Sequence, residues 1–189
     1  AGAGAGAGAG ADSMPLIIGP DSSGFSDSWW YPQFLGNMTA AGEESGEGVP
    51  LDVITWHIYT LGSGNSTNVP AEIMNATYLN SFAPKCSKHH TTVEHYAGPD
   101  APQLWIGEGG GAYGSGQDGS TNTFMSTFWY GDSLGTMAVQ GHDAMCRQAL
   151  VGGNYALLNL SIPYEGGQMM NGGAGGAGGT GGEAKDEGE

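Results

Sequence analysis

The chain has 189 residues and carries only four basic residues against nineteen acidic ones, for a formal net charge of −15. This charge repels phosphate backbones and anionic lipid headgroups, and it argues against nucleic acids and anionic membrane surfaces as partners. No apolar run approaches the roughly 18 residues that a membrane-spanning helix needs, so no membrane span is predicted.

The two ends of the chain differ in composition from the middle. Residues 1–11 alternate alanine and glycine, which indicates a linker or placeholder more than a silk-like β segment. Residues 166–189 are rich in glycine and end in an acidic run, the composition of a flexible tail. Residues 12–165 are long enough to bury a core and are predicted to form the folded domain.

Apolar runs typical of strands recur in this domain near residues 16, 53, 104 and 145. The segments between them show helical signals. Pro70 lies where a helix should begin, with Ile73, Tyr78 and Phe82 as apolar anchors. Further helices are predicted over residues 87–96 and over residues 123–134, the latter with Phe124, Phe128 and Trp129 on one side. The alternation predicts repeated βα units and an α/β fold.

Tryptophans could stack on a sugar or pack in a core. Trp56 and Trp105 lie in strand-like runs and Trp129 in a predicted helix, so core packing is the better interpretation of all three. The run Trp29-Trp30-Tyr31, soon after the first strand, is the better candidate for a stacking platform, with core packing an equal alternative.

Histidine and cysteine give no clear metal signal. The histidines at 89, 90, 95 and 142 lack a convincing ligand spacing, and scattered histidines are usually solvated, so no metal and no cofactor are predicted. Cys86 and Cys146 could form one disulfide, but the preferred expectation is a buried free thiol at each, or partners elsewhere.

Four asparagines begin Asn-x-Ser/Thr sequons, at Asn37, Asn65, Asn75 and Asn159. About one such sequon would arise by chance in this composition. The excess favours a secreted, N-glycosylated protein.

The most informative stretch is the apolar run Leu104-Trp105-Ile106, which leads through Gly107 to Glu108 and a glycine turn. This pattern predicts a buried strand with a carboxylate at its carboxyl end, where a (β/α)8 barrel carries catalytic groups. Glu108 is then a nucleophile or an acid/base. A glutamate that only caps a loop explains this stretch equally well.

Several motifs resemble, in order, the heparanase-like retaining glycoside hydrolases, and most closely their plant-type members. They are Leu-Ile-Ile-Gly-Pro-Asp at 16–21, Val-Ile-Thr-Trp-His-Ile-Tyr-Thr-Leu-Gly-Ser-Gly-Asn at 53–65, Trp-Ile-Gly-Glu-Gly-Gly-Gly-Ala-Tyr at 105–113, Asp-Ser-Leu-Gly at 132–135, and the stretch from Cys146 to Tyr155. The resemblance implies a (β/α)8 TIM barrel, of which this chain represents strands five to eight. A half barrel exposes sheet edges, so a partner chain or a missing segment is expected to complete it.

The same resemblance implies roles for individual residues. Glu108 is the expected nucleophile, and His57 and Tyr59 are expected to point into the substrate cleft. Tyr113, Gly114 and Tyr155 match positions that contact a uronic acid carboxylate through hydroxyl and backbone N–H donors. The family's acid/base glutamate belongs to an Asn-Glu motif, yet no Asn-Glu dipeptide occurs in the chain.

The expected function is that of a secreted glycoside hydrolase of heparanase or β-glucuronidase type, which cleaves glucuronic-acid-bearing glycans with retention. Because basic residues are scarce, weakly charged glycans are favoured over highly sulfated ones. The alternative is a non-catalytic structural or glycan-binding glycoprotein that uses the domain as a scaffold. It is favoured by the missing acid/base motif, by the low-complexity ends and by glycines 109–111, where relatives often carry serine or threonine.

Overall fold

The fold is known from a computed structural model that describes residues 15–23, 29–46, 48–98 and 101–158. The predicted linker over residues 1–11, the tail over residues 166–189 and the sequon at Asn159 lie outside the described residues.

Four strands form one parallel sheet in the order β1-β2-β3-β4. They are β1 (Ile18–Gly19), β2 (Val53–Tyr59), β3 (Gln103–Gly110) and β4 (Ala144–Arg147). Each strand lies next to its neighbour in sequence, and parallel neighbours require crossover connections, which helices supply here. The predicted α/β fold and the four strand positions are confirmed.

Five α-helices connect the strands of the described chain. They are α1 (Trp30–Ser45), α2 (Val69–Ile73), α3 (Ala76–Leu79), α4 (Ala83–Ala97) and α5 (Ser126–Val139), with a 3-10 turn at Asn80–Phe82 before α4. Pro70 lies in the first turn of α2, as predicted. No helix of the described residues is long and apolar enough to cross a membrane.

The main core lies between one face of the sheet and the helices α1, α4 and α5. The sheet contributes alternate residues of β2 and β3, and the helices contribute aromatic, aliphatic and sulfur side chains: Ile54, Trp56, Ile58, Leu104, Ile106, Tyr31, Leu35, Cys86, Val93 and Met137. Ile73 and Phe82 are buried and Tyr78 is half-buried, but the helix expected from Pro70 ends at Ile73. The three apolar residues therefore lie in α2, α3 and the 3-10 turn and not along one helix.

Two further helix predictions need correction. The helix expected over residues 87–96 begins earlier, at Ala83. The grouping of Phe124 and Phe128 with Trp129 is wrong, since the two phenylalanines are 78% and 51% exposed and Trp129 is 2% exposed. Phe124 precedes α5, and Phe128 is about 100° around the helix from Trp129, so that its side chain is turned toward solvent while Trp129 faces the core.

Of the two interpretations of Trp29-Trp30-Tyr31, core packing is correct for Trp30 and Tyr31. Tyr31 is fully buried, with its ring centroid 5.4 Å from that of His89, and Trp30 packs against the same core. Helix α1 begins at Trp30 and turns Tyr31 inward, leaving Trp29 as the exposed aromatic residue of the run. The predicted burial of Trp56 and Trp129 is confirmed, while Trp105 is half-buried.

Two histidines expected in solvent are instead part of the interior. His89 and His142 are 1% and 4% exposed. The Trp56 indole stacks on the His89 ring at 3.8 Å and donates its Nε1 hydrogen to Nε2 of His142 at 3.0 Å. Burial lowers the pKa of His142 to about 4, so this imidazole is neutral near pH 7 and can accept the hydrogen bond.

The two cysteines are both free, so they do not bridge one another. Cys86 is buried in α4 and Cys146 is exposed on β4, which corrects the expectation of a buried thiol at both positions.

The buried imidazole predicts a pH-dependent stability. The pKa of His142 lies below its usual 6.5 in the folded protein, so below pH 6.5 the unfolded chain binds the proton first. The free energy of unfolding should therefore fall between about pH 6.5 and pH 4, by on the order of 2 to 3 kcal/mol. Urea unfolding at pH 7.5 and pH 4.5 measures the loss.

His142→Gln should remove this part of the pH dependence, whereas His95→Gln, on the exposed side of α4, should not. An unchanged pH dependence in His142→Gln would contradict the assignment.

Candidate active site

The candidate site lies on the face of the sheet opposite the helices. Side chains alternate along a strand, so Thr55, His57 and Tyr59 point away from the core that receives Trp56 and Ile58. The Tyr59 hydroxyl donates a short hydrogen bond to Oε1 of Glu108, and Nδ1 of His57 lies 3.8 Å from Oε2 of the same carboxylate. Three of the residues predicted from the sequence therefore meet at the carboxyl ends of β2 and β3.

A one-residue bulge in β3 brings Glu108 to this face. Trp56 is in register with Ile106, but the next residue of β2, His57, is in register with Glu108, so Gly107 is an extra residue in β3. A single extra residue reverses the alternation of side chains beyond it. Without the bulge, Glu108 would share the face of Ile106 and point toward the helices.

Glycine is needed at two positions beside Glu108. A Cβ on Gly107 would lie 2.3 Å from Oδ1 of Asp21, and a Cβ on Gly110 would lie 2.6 Å from Cε1 of Tyr59. Both distances are shorter than van der Waals contact. The absence of a side chain lets Asp21 and Tyr59 approach β3 closely.

Tyr59 is held as a hydrogen-bond donor. Its pKa is raised by burial and, to a smaller extent, by the hydrogen bond to Glu108 and the negative charge there. The phenol therefore stays protonated throughout the physiological range. It supplies the Glu108 carboxylate with a fixed neutral donor.

Asp21 is a site residue that the sequence reasoning missed. It follows β1, and its Oδ1 lies 2.8 Å from Nε2 of His57. Its backbone N–H donates to Oγ1 of Thr55 at 2.8 Å. The signal that singled out Glu108, an acidic residue just after an apolar strand, is also present at Asp21.

Tyr113 and Gly114 lie in the loop that follows β3. The Tyr113 ring meets the Tyr59 ring edge-on, with centroids 6.4 Å apart, and the tyrosine is 53% exposed. Two backbone hydrogen bonds of 2.8 Å, Tyr113 N–H to Gly62 O and Gly64 N–H to Tyr113 O, fix this loop against the loop after β2. Gly114 is exposed and has a φ of 74°.

Tyr155 is positioned by the residues at the end of β4. Gln148, also missed from the sequence, donates through Nε2 to the Tyr155 hydroxyl at 3.2 Å. Arg147 donates through Nη2 to the Tyr155 carbonyl at 3.1 Å, while its guanidinium lies over the Tyr130 ring at 4.3 Å. Tyr155 also contributes to the raised pKa of Tyr59, which places it within electrostatic reach of the Glu108 cluster.

The three described sequon asparagines are all exposed. Asn37 lies on α1, Asn65 in the loop after β2, and Asn75 at the start of α3, where its Oδ1 accepts the Tyr78 N–H at 3.2 Å. No group of three potential metal ligands occurs within the described part of the chain.

Comparison with known proteins identifies related sequences. Residues 7–135 match the N-terminal domain of glycosyl hydrolase family 79. Heparanase-like protein 2 of Arabidopsis thaliana is 40% identical over 146 residues, which cover 77% of this chain and 25% of the relative. Baicalin-beta-D-glucuronidase of Scutellaria baicalensis is 36% identical over 146 residues, with the same two coverages of 77% and 25%. Heparanase of Gallus gallus is 33% identical over 113 residues, which cover 59% of this chain and 21% of the relative.

The chain thus spans about a quarter of the length of the curated relatives it matches. Among solved structures, a 4-O-alpha-L-rhamnosyl-beta-D-glucuronidase from Fusarium oxysporum 12S superposes with a TM-score of 0.47 at 17% sequence identity, covering 60% of this chain and 23% of the other.

The close approach at Gly107 gives a testable prediction. Gly107→Ala should push the Asp21 carboxylate away from His57, because the new methyl group would overlap Oδ1. In histidine-selective ¹⁵N spectra, the His57 ring signals should shift. Gly131→Ala, on α5 with open space at the Cβ position, is the control and should leave these signals in place. Identical His57 signals in both variants would show that Gly107 does not control this contact.

Proposed function

The chain belongs to glycosyl hydrolase family 79, and we propose that the protein that contains it hydrolyses glucuronic-acid-bearing glycans with retention of configuration, using Glu108 as the nucleophile. The observation that carries this proposal is the bulged end of β3, which presents Glu108 on the open face of the sheet between Tyr59 and His57. A glutamate that only capped a loop would not need such a bulge.

The chemistry follows from the two-step mechanism of retaining glycosidases. An oxygen of Glu108 attacks the anomeric carbon while the glycosidic C–O bond breaks and the leaving oxygen takes a proton from a general acid. Water then hydrolyses the glycosyl ester and releases Glu108 as a carboxylate. Tyr59 holds one carboxylate oxygen by its hydrogen bond, so the other oxygen, on the side of His57, is the one left for attack.

The general acid must come from another part of the protein. The chain has no Asn-Glu dipeptide. Asp21 does not replace it, because Asp21 and Glu108 contact opposite nitrogens of the His57 ring, which lies between them. We therefore propose that this chain forms strands five to eight of a (β/α)8 barrel and that a further segment or partner chain supplies the general acid.

Two features of the fold support the barrel proposal. The strands are parallel and in sequential order, with helices on one face and the candidate site at their carboxyl ends. In the described residues, β1 and β4 each have one strand neighbour, and Ile18 of β1 is 46% exposed. Additional strands at these edges would cover such residues. The division into a linker (1–11), a domain (12–165) and a tail (166–189) belongs to the same proposal.

The proposed substrate is a glycan with terminal or internal glucuronic acid and few sulfate groups. The Tyr113 ring meets that of Tyr59, and Tyr155 is within electrostatic reach of Tyr59. We propose that these two hydroxyls and the backbone N–H of Gly114 donate hydrogen bonds to the uronic carboxylate. The net charge of −15 disfavours highly sulfated chains. The exposed sequons at Asn37, Asn65 and Asn75 support secretion and N-glycosylation.

Glu108→Gln tests the nucleophile in the full-length natural protein. Because an amide cannot form the glycosyl ester, turnover of an aryl glucuronide should fall by on the order of 10³-fold or more. Glu44→Gln, the same isosteric change at an exposed position of α1, should retain wild-type activity. Full activity in Glu108→Gln would refute the assignment.

A covalent probe separates the enzyme from the scaffold alternative, which the missing Asn-Glu motif favours. A glucuronic-acid-configured mechanism-based inhibitor should add its mass to the peptide that contains Glu108, and peptide mapping locates the adduct. A correctly folded protein that stays unlabelled at Glu108 would instead favour a glycan-binding scaffold.

A further inference from the structure

We propose that Asp21 is a positioning residue that holds the imidazole of His57 in a fixed orientation and tautomer beside Glu108. This inference deepens the proposed function and rests on Glu108 as the nucleophile. It concerns the residues around the carboxylate and not the substrate.

The two contacts of the His57 ring are unequal. Nε2 lies 2.8 Å from Oδ1 of Asp21, a normal hydrogen-bond distance, while Nδ1 lies 3.8 Å from Oε2 of Glu108, which is too long for a hydrogen bond. The orientation of the ring is therefore determined by Asp21. Glu108 then faces the other ring nitrogen, Nδ1.

The contact with Asp21 also determines which nitrogen of the His57 ring carries the hydrogen. An ionised carboxylate only accepts hydrogen bonds, so its contact with Nε2 requires the hydrogen to be on Nε2. Nδ1 is then directed at Glu108, as a lone pair when the ring is neutral and as an N–H when the ring is protonated. Carboxylates that orient a functional histidine through its far nitrogen act in this way in metal sites, where they fix tautomer and ring orientation together.

The backbone and the carboxylate of Asp21 make different contacts. The backbone fastens the segment after β1 to β2: the Asp21 N–H donates to Thr55 Oγ1 at 2.8 Å, and the Ser22 carbonyl accepts the His57 N–H at 3.0 Å. The carboxylate itself reaches His57 through the space left by Gly107. A side-chain substitution at Asp21 should therefore alter the imidazole without releasing the segment.

The backbone at Asp21 dictates which variants are informative. Its φ of 51° is in the left-handed region, which asparagine and glycine adopt readily and alanine does not. Asp21→Asn keeps the shape of the side chain but removes its charge, and Asp21→Gly removes the side chain without strain. Asp52 provides the control, because its Oδ2 accepts the Ile17 N–H at 2.7 Å and so ties the segment before β1 to β2 away from the site.

The experiment measures kcat and KM of the full-length natural protein with an aryl glucuronide, together with ¹⁵N signals of the imidazoles assigned by His57→Gln. Asp21→Gly should lower kcat by roughly ten- to hundredfold, by analogy with the loss that follows removal of the carboxylate that orients a metal-ligating histidine. KM should change little, and Asp21→Asn should fall between wild type and Asp21→Gly. The Nε2 signal of His57 should lose its protonated-tautomer shift in Asp21→Gly, while Asp52→Asn should leave kcat and the His57 signals unchanged.

The outcomes distinguish the inference from the proposed function. If wild type is active and Glu108→Gln is inactive, a wild-type kcat in Asp21→Gly overturns the inference alone. Equal losses of kcat in Asp21→Gly and Asp52→Asn would reduce Asp21 to a structural role and would also overturn it. If no variant, including wild type, hydrolyses the glucuronide, the proposed function fails, and an unchanged His57 tautomer in Asp21→Gly would then overturn the positioning role independently.

Discussion

The register between β2 and β3, with its extra residue at Gly107, is the constraint on which the candidate site depends. It places Glu108 beside His57 and not beside Ile58. A carboxylate on the other face would lie among the apolar side chains under the helices, where an unpaired charge is costly to bury. Because Gly107 has no side chain, the same position also admits the carboxylate of Asp21. One residue therefore determines both the direction of Glu108 and the second partner of His57.

Side chains alternate along β2, so its core residues lie on one face of the sheet and the residues of the candidate site lie on the other. Trp56 and Ile58 pack into the core, and Trp56 there binds two buried imidazoles through stacking and a hydrogen bond. The residues between and beyond them, His57 and Tyr59, contact Glu108 on the open face. The packing of Trp56 therefore fixes β2 against the helices, while His57 and Tyr59 make polar contacts on the opposite face. His89 and His142 thus pack in the core, whereas His57 lies beside Glu108 in the candidate site.

The sequence was sufficient to predict the four strands, helices near α4 and α5 and the acidic residue after the third strand, because each depends on local periodicity or on a short motif. It did not locate α1, and it did not predict the division of the segment from Pro70 into α2, α3 and a 3-10 turn. It was not sufficient where the outcome depends on distant partners. The Trp56–His142 hydrogen bond joins residues 86 positions apart, and no local pattern distinguishes His142 from a solvated histidine. The bulge at Gly107 could not be predicted for a similar reason, since a glycine before Glu108 is also typical of an ordinary turn. Its role depends on two distant partners, the register of β2 and the carboxylate of Asp21. Phe124 and Phe128 show the opposite error, in which apolar character alone suggested burial.

The distribution of charge around the site bears on what it can recognise. The single arginine of the chain, Arg147, is directed at the Tyr155 carbonyl and at aromatic ring faces, where its charge stabilises the loop that carries Tyr155. The side chain that donates to Glu108 is the Tyr59 phenol, and the donors proposed around it, the hydroxyls of Tyr113 and Tyr155 and the Gly114 N–H, are uncharged as well. Neutral donors of this kind bind a single carboxylate through directed hydrogen bonds but create no long-range positive potential. On these strands a glycan with clustered sulfates would lose its hydration and meet no lysine or arginine other than Arg147, which already contacts Tyr155 and the aromatic rings. The proposed uronic acid substrate fits such neutral donors, and the proposed preference against highly sulfated chains follows from the same scarcity of cations.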